Sequence, residues 1–406
     1  MSAEPGRDRN PYRPGAAVSP LFLAGRDRER RRFAAVLEGA PELPANIRLT
    51  GLRGVGKTVL LKELERDAEQ RGWVTSRVQV EPRHNQEVAL TTLLVGKAEQ
   101  AVQKISRAAR IRTAIAGAAA VARGSLSVTF EDLQFSLDPS AGSKQQDLVA
   151  ALFAAAEAAV KNGHAGYLVM LDEAQVLRDD KDRDGDHPLS LLVAAVNTLQ
   201  EREVPVGLTL CGLPTLRANL LKARTYSERM FRGEEIGTLA AGEAQDAFTR
   251  PLDGTSVVVD RALVDRVVAE VEGYPFFIQL WGAELWEAAR AAGVDRFDIA
   301  LLDQVEGDIY QRLDRDFYEG RVDALTPAEA DLLMATASCP YPPLRTADIH
   351  RQSKKTEANA NVLMGRLSDQ GVVFRIQKGQ YEYTAPKFHD YLRRRRAALE
   401  ALGRGL

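Results

Sequence analysis

Gly51-Leu52-Arg53-Gly54-Val55-Gly56-Lys57-Thr58 has the residue types and spacing needed to grip a polyphosphate. Gly51 and Gly56 let the backbone turn tightly and bring N–H groups from Arg53 to Val59 up to phosphate oxygens. Lys57 supplies a point charge for the β- and γ-phosphates, and the Thr58 hydroxyl can hold the magnesium that travels with a nucleotide. A second candidate follows downstream. Tyr167-Leu168-Val169-Met170-Leu171 is an apolar run that ends in Asp172 and Glu173. Asp172 is placed to hold magnesium through water, and Glu173 to polarise the water that attacks the γ-phosphate. The same ending also suits a strand that closes in a solvated acidic turn; its pairing with the phosphate loop favours the chemical reading. The adjacent glutamate favours hydrolysis over binding alone.

Both candidates need particular elements behind them. Residues 46–50 read as a short strand before the glycine loop. Leu60, Leu61, Leu64 and Ala68 then recur at helical spacing, and Gly72 can end that helix. Strand, loop and helix in this order aim a helix N-terminus at the anion. The run before Asp172 reads as a buried parallel strand, whose C-terminal end is where an open α/β sheet places ligands. Further strands are expected at residues 73–80, 204–211 and 234–238, alternating with helices. That alternation predicts a parallel sheet covered on both faces.

At 406 residues the chain has room for two or three domains. Its hydrophobic fraction of 45% is ordinary for a globular protein, and a net charge of −2 says little about partners. Two cysteines, Cys211 and Cys339, provide neither a disulfide framework nor a metal cluster and suit a reducing cytosol, so a cytoplasmic location is expected. Residues 1–20 form a polar, extended arm without the apolar core of a signal peptide. The longest uncharged apolar run, around residues 113–122, is too short to span a bilayer, and no membrane partner is expected.

The sequence divides into the arm (1–20), an α/β domain (21–240), an all-helical lid domain (241–320) and a C-terminal domain (321–406). An insertion of about residues 97–145 interrupts the α/β domain. Its helical part carries Lys97, Lys104, Arg107, Arg110, Arg112 and Arg123 against Glu99, and residues 126–137 alternate like a hairpin. A solvated amphipathic helix and a contact with DNA or a protein both account for that charge. The acidic stretch 179–186 mimics a calcium loop, but Leu191 stands where a bidentate glutamate is needed, so a flexible acidic loop is expected.

In the last domain, Thr326-Pro327-Ala328-Glu329 is a capping box with proline at the first helical position. Helices are expected there, near 346–352 and over 357–370, followed by a hairpin around Lys378-Gly379. This order is that of a winged helix-turn-helix. From Arg321 onward 14 Lys or Arg stand against 9 Asp or Glu, four of the positives being Arg393 to Arg396. Double-stranded DNA would meet Arg366 on the third helix and Lys378 on the wing. A winged helix that packs on its own ATPase or on another protein is the alternative.

The combination resembles AAA+ and STAND-type P-loop ATPases, especially the branch near the archaeal origin-recognition initiators with a C-terminal winged helix. The resemblance implies ATP or ADP with magnesium as cofactors, a nucleotide between the α/β and helical domains, and slow hydrolysis that repositions the winged helix. It also implies that Gly25 and Arg26, preceded by Asn10-Pro11-Tyr12, help form the adenine and ribose pocket. Thr209 would be the polar sensor on the next strand. Arg229, with Arg232 as the alternative, would be an arginine finger acting across a self-assembled interface. Gly273-Tyr274-Pro275 resembles the element that lets Pro275 touch the nucleotide in STAND switches. The helix from Pro275 to Ala289 lacks the sensor arginine usual in initiators, which favours a slow switch over a motor. A signalling scaffold whose winged helix binds protein, and a loader for a transposition or replication partner, are the other readings.

Overall fold

The computed structural model describes residues 9–15, 17–121, 144–179, 186–224 and 226–401, apart from the side chains of 108–121 and Glu228. The expected hairpin over 126–137, Arg123, the side chains of Arg110 and Arg112 and the centre of the acidic loop lie outside the described residues.

The first half alternates as expected: α1 (Asp27–Glu38), β1 (Ala45–Thr50), α2 (Lys57–Gln70), β2 (Trp73–Gln79), α3 (Glu87–Val121), α4 (Lys144–Lys161), β3 (Gly166–Asp172), α5 (Pro188–Gln200), β4 (Val206–Gly212), α6 (Thr215–Ala223), α7 (Ser227–Met230) and β5 (Arg232–Glu235). The five strands form one parallel sheet in the order β2-β3-β4-β1-β5. β3 and β4 are buried along their whole length, which is why they read as continuous apolar runs.

Alternation then sorts each strand's side chains between two cores. Leu168 and Met170 pack with Leu60, Leu61 and Leu64 of α2, while Tyr167, Val169 and Leu171 pack under α3, α4 and α5. Each fully buried leucine contributes about 1.5–3 kcal/mol. Asp172 follows Met170 at the same period, so packing of the strand delivers its carboxylate to the α2 side. The bidentate pair of Arg30 with Asp67, at 2.8 and 2.7 Å, fastens α1 to α2. The ends of the acidic loop have structural work. Asp179 accepts from the N–H groups of Leu189 (3.0 Å) and Ser190 (3.2 Å), caring for the unpaired donors of α5.

The helical region contains α8 (Ala241–Thr249), β6 (Val258–Val259), α9 (Arg261–Val271), α10 (Pro275–Ala292), β7 (Arg296–Phe297), α11 (Ile299–Leu313) and α12 (Gly320–Asp323). The parallel pair β6–β7 corrects the expectation of an all-helical region. Two-residue strands have no periodicity to read and form only because the ends of α9 and α10 meet. A π-helical segment, Asp314–Glu319, prolongs α11.

The last region comprises α13 (Pro327–Thr336), β8 (Leu344–Arg345), α14 (Thr346–Ser353), α15 (Glu357–Asp369), β9 (Val373–Gln377), β10 (Gln380–Tyr383) and α16 (Phe388–Ala401). Three helices precede the hairpin, and β8 adds a third antiparallel strand in the order β8-β10-β9. The expected capping box is present, the Thr326 N–H donating to the Glu329 carboxylate at 3.0 Å. Read as sequence, Arg393 to Arg396 are only charge; the structure adds α16, whose Phe388, Tyr391 and Leu392 are buried. One hydrophobic core runs from the helical region into this last one, through Phe317, Tyr318, Tyr383 and Phe388.

The N-terminal arm is part of this packing. The Tyr12 hydroxyl donates to the Phe248 carbonyl, and the Arg13 N–H to the Gln279 side chain at 2.9 Å. The ring of Tyr12 lies where a side chain at position 282 would stand, 2.3 Å from a Cβ built on Gly282. Gly282→Ala should therefore dislodge the arm. Limited chymotrypsin digestion is expected to cleave after Tyr12 several times faster in the variant than in the parent, and equal rates would refute the seating of Tyr12.

Candidate functional site

The glycine loop joins β1 to α2, and its conformation follows from residues without a Cβ. Gly54 and Gly56 have φ of 80° and 87°, a region other residues avoid. A Cβ on Gly51 would lie 2.3 Å from the Ile236 carbonyl oxygen, so the loop also needs glycine for close packing. Gly56 is the N-cap of α2, which leaves the unpaired N–H groups of the first turn, through Val59, at the loop.

Lys57 is 9% exposed and donates from Nζ to the Leu52 carbonyl at 2.8 Å. Burial lowers its pKa; Cys211, Glu173 and Asp172 pull the other way, and Arg53 adds to the lowering. Arg26 is 5% exposed and braces the loop from behind, Nη2 donating to the carbonyls of Val55 (2.9 Å) and Gly237 (2.8 Å). Gly25, with φ of 64°, brings the chain against the Glu243 carboxylate, which lies 2.5 Å from where a Cβ at this position would stand.

The acidic pair sits at the C-terminal end of β3. Asp172 is buried, and its Oδ1 accepts from the N–H of Glu173 at 2.9 Å. Glu173 has φ of 55°, a left-handed conformation that costs a non-glycine residue about 1–2 kcal/mol. The fold holds it there through the Asp172 carboxylate and a bond from Gln175 Nε2 to its own carboxylate. Gln175 carries no signal in the sequence; its Oε1 also accepts from the N–H of Leu213 at 3.0 Å and so ties the ends of β3 and β4 together. Strain held in place at a cleft is a mark of function.

Loop and acid meet on one cavity of about 470 Å³, within the range of small-ligand sites. Arg53, Gly54, Val55, Gly56, Lys57, Thr58 and Val59 line it, with Glu173. Its other walls are the arm (Pro14, Val18, Pro20) with Phe22 just after it, the start of α10 (Pro275, Gln279, Leu280) and Phe317 and Arg321. Pro275 approaches within 3.9 Å of a Cβ position on Gly56, and the N–H of Phe276 donates to the Gly54 carbonyl at 3.3 Å. One end of the cavity is thus cationic and amide-lined, and the other apolar.

Other candidates fall elsewhere. Thr209 is 0% exposed in the middle of β4, opposite Ile47 and Met170, and is not on the cavity. The register sets Cys211 beside Asp172 instead, and burial pushes the Cys211 thiol well up. Arg229 is exposed on α7 and has no ion pair among the described residues; Arg232 pairs with Glu234 at 3.6 Å. Neither lines the cavity. α10 extends beyond Ala289 to include Arg290, which lies over Trp286 at 6.0 Å and away from the cavity wall. Arg366 and Lys378 are exposed on α15 and at the tip of the β9–β10 hairpin. The arginine run on α16 is largely engaged within the chain: Arg394 with Asp314, Arg395 with Asp323 (3.6 Å) and Arg396 with Glu400 (2.8 Å). No described helix is long and apolar enough to cross a membrane.

Comparison with known proteins agrees with this geometry. The family profile of an AAA ATPase domain matches residues 23–209, and that of a domain of unknown function (DUF8462) matches residues 315–392. No curated protein matches the chain by sequence. A Walker-type ATPase of Pyrococcus abyssi is similar at a TM-score of 0.53 and 19% identity, over 91% of this chain and 96% of that one. The ORC2 protein of Aeropyrum pernix, in its ADPNP–ADP complexes, is similar at 0.55 and 14%, over 95% and 96%. At such identities the likeness speaks for the fold. Residues 23–209 are thus similar to the AAA ATPase domain family, and the chain as a whole has the fold of these archaeal ATPases.

Proposed function

We propose that the chain is an ATP-dependent switch that binds and slowly hydrolyses ATP with magnesium and thereby repositions its C-terminal winged helix on DNA. One observation carries this reading: the phosphate loop is bonded to the C-terminal region. The N–H of Arg53 donates to the Thr384 carbonyl at 2.8 Å, just after β10. Two ion pairs reinforce the docking, Arg178 with Asp369 of α15 at 3.3 Å and Lys387 with Glu270 at 3.1 Å. A change of loop geometry on nucleotide binding is therefore felt at the winged helix without any intermediary.

In this reading Lys57 and the loop amides bind the phosphates, and Glu173 orients and deprotonates the attacking water. Thr58, directly, and Asp172, through water, would hold magnesium, which would supply stabilisation of charge on the phosphates. The donor set fits: a hydroxyl in the first turn of α2 and a buried carboxylate on the facing strand end. The apolar end formed by the arm and α10 suits adenine, and the chain has no Asn-Lys-x-Asp motif for guanine.

A duplex of random sequence is the test for DNA. Binding at low salt should differ between ADP and a slowly hydrolysed ATP analogue. Arg366→Ala with Lys378→Ala should reduce the slope of log affinity against log salt by about 2. No binding in either nucleotide state removes DNA from the proposal. The second reading, a protein partner, is favoured by the exposed face of α15, where apolar Val362 and acidic Asp369 stand beside Arg366 at i−4 and i+3. ATP-dependent assembly without DNA affinity would select it.

A further inference from the structure

We propose that Arg53 and Arg321 form a two-armed clamp for the terminal phosphate of a nucleoside triphosphate, so that the site distinguishes triphosphate from diphosphate. The inference rests on the nucleotide reading of the cavity and adds a residue, Arg321, that no motif marks.

Both arginines line the cavity, Arg53 from the phosphate loop and Arg321 from α12. Neither has a carboxylate within ion-pair distance among the described residues. Two other arginines of the cavity wall, Arg26 and Arg312, are engaged where these two are not. Arg26 donates to two backbone carbonyls, and Arg312 pairs with Glu284 and, at 3.4 Å, with Asp316. Arg53 Nε is buried with no hydrogen-bond partner, and the Arg321 guanidinium lies over the Phe317 ring at 4.5 Å.

Two cations at close range in a partly buried place repel one another. Burial and the charge of Arg53 bring the Arg321 pKa down to about 10, so Arg321 remains charged at neutral pH. An orphaned donor and an unneutralised pair of guanidiniums are relieved together by one anion with several acceptor oxygens. Arg53 is also close enough to Lys57 to lower the pKa of the ammonium. The anion therefore continues the phosphate chain that Lys57 holds. The inner phosphates are met by the loop amides and Lys57. A diphosphate would leave the arginine pair unneutralised, whereas a third phosphate, with the largest charge, would reach it.

The placement has a structural consequence. Arg321 stands directly after the π-helical segment and shortly before α13, where the helical region passes into the C-terminal one. The terminal phosphate would tie this junction to the loop.

Calorimetric titration of the full chain with ADP and with a slowly hydrolysed ATP analogue, magnesium present, tests the clamp. Arg321→Ala should weaken the triphosphate by roughly ten- to a hundred-fold, the range of a lost charged hydrogen bond, and ADP by less than about threefold. Arg321→Lys, which keeps the charge and the packing over Phe317, should fall between parent and alanine variant and provides the measurement if the alanine variant does not fold. An equal loss for both nucleotides, or no loss, overturns the clamp while leaving the nucleotide site intact. A parent chain that binds neither nucleotide overturns the site itself.

Discussion

Lys57→Ala should weaken ATP and ADP alike by at least about 100-fold, because it removes a charge-assisted bond from a buried position. Lys57 has little surface exposed and holds the Leu52 carbonyl, so its ammonium is aimed by the loop before any ligand arrives. The cost of that preparation appears in the ligand-free protein. Burial lowers the Lys57 pKa, so the folded chain releases this proton at a lower pH than the unfolded chain. Between the two pKa values the unfolded state binds more protons, and stability rises with pH through that window. Below that window the folded state bears the buried charge in full. Lys57→Met should accordingly leave the melting temperature of the nucleotide-free protein equal or higher, while abolishing the rise that ATP causes in the parent. That rise corresponds to about 2.7 kcal/mol at a ligand concentration 100 times Kd. A parent-like rise in either variant would show that the ammonium does not face the phosphates.

How much of this can be read from the chain depends on how local each feature is. The phosphate loop is legible because its glycines answer local demands: positive φ at Gly54 and Gly56, and a strand and a helix immediately beside them. The Asp172 strand is legible for a related reason, since a strand buried on both faces writes an unbroken apolar run. Thr209 fails because a sensor position depends on the register of β4 against β3, which neither strand encodes alone. The run through Gly212-Leu213-Pro214 also hides where the strand ends, and the β4 residue beside Asp172 is Cys211, two positions further along the same face. Arg321 is invisible for the opposite reason. Nothing in its neighbourhood is unusual, and its distinction, a guanidinium brought to Arg53 without an acid, exists only after three regions have packed. The bond from Arg53 to Thr384 is of the same kind, joining a loop near the front of the chain to a hairpin near its end. The net positive charge of the last region misleads in one respect, since ion pairs on α16 engage most of the arginine run that creates it.

Glu173→Gln should keep ATP bound and slow phosphate release by roughly 100- to 10,000-fold, the usual share of a general base. The substitution is chosen for what it leaves alone. Glutamine has the volume of glutamate, and it tolerates the φ of 55° no worse than the residue it replaces. It can also still accept from Gln175 Nε2, so the link that fixes the ends of β3 and β4 survives. What disappears is one negative charge on the cavity wall and the ability to take a proton. Loss of the charge removes repulsion toward the phosphates and should hold affinity at or above that of the parent. Loss of the proton acceptor stops the water from being activated. The two effects separate cleanly in experiment: the ATP-induced rise in melting temperature is retained, and single-turnover hydrolysis is lost. Because the triphosphate then persists, the variant should also hold the loop and the docked C-terminal region in their ATP arrangement, and any nucleotide-dependent difference in DNA binding should become permanent. Hydrolysis at the parent rate would mean that Glu173 does not act as the base. Its strained backbone would then serve only to cap β3 and to hold Gln175, and the water-activating group would have to be sought on a second copy of the chain.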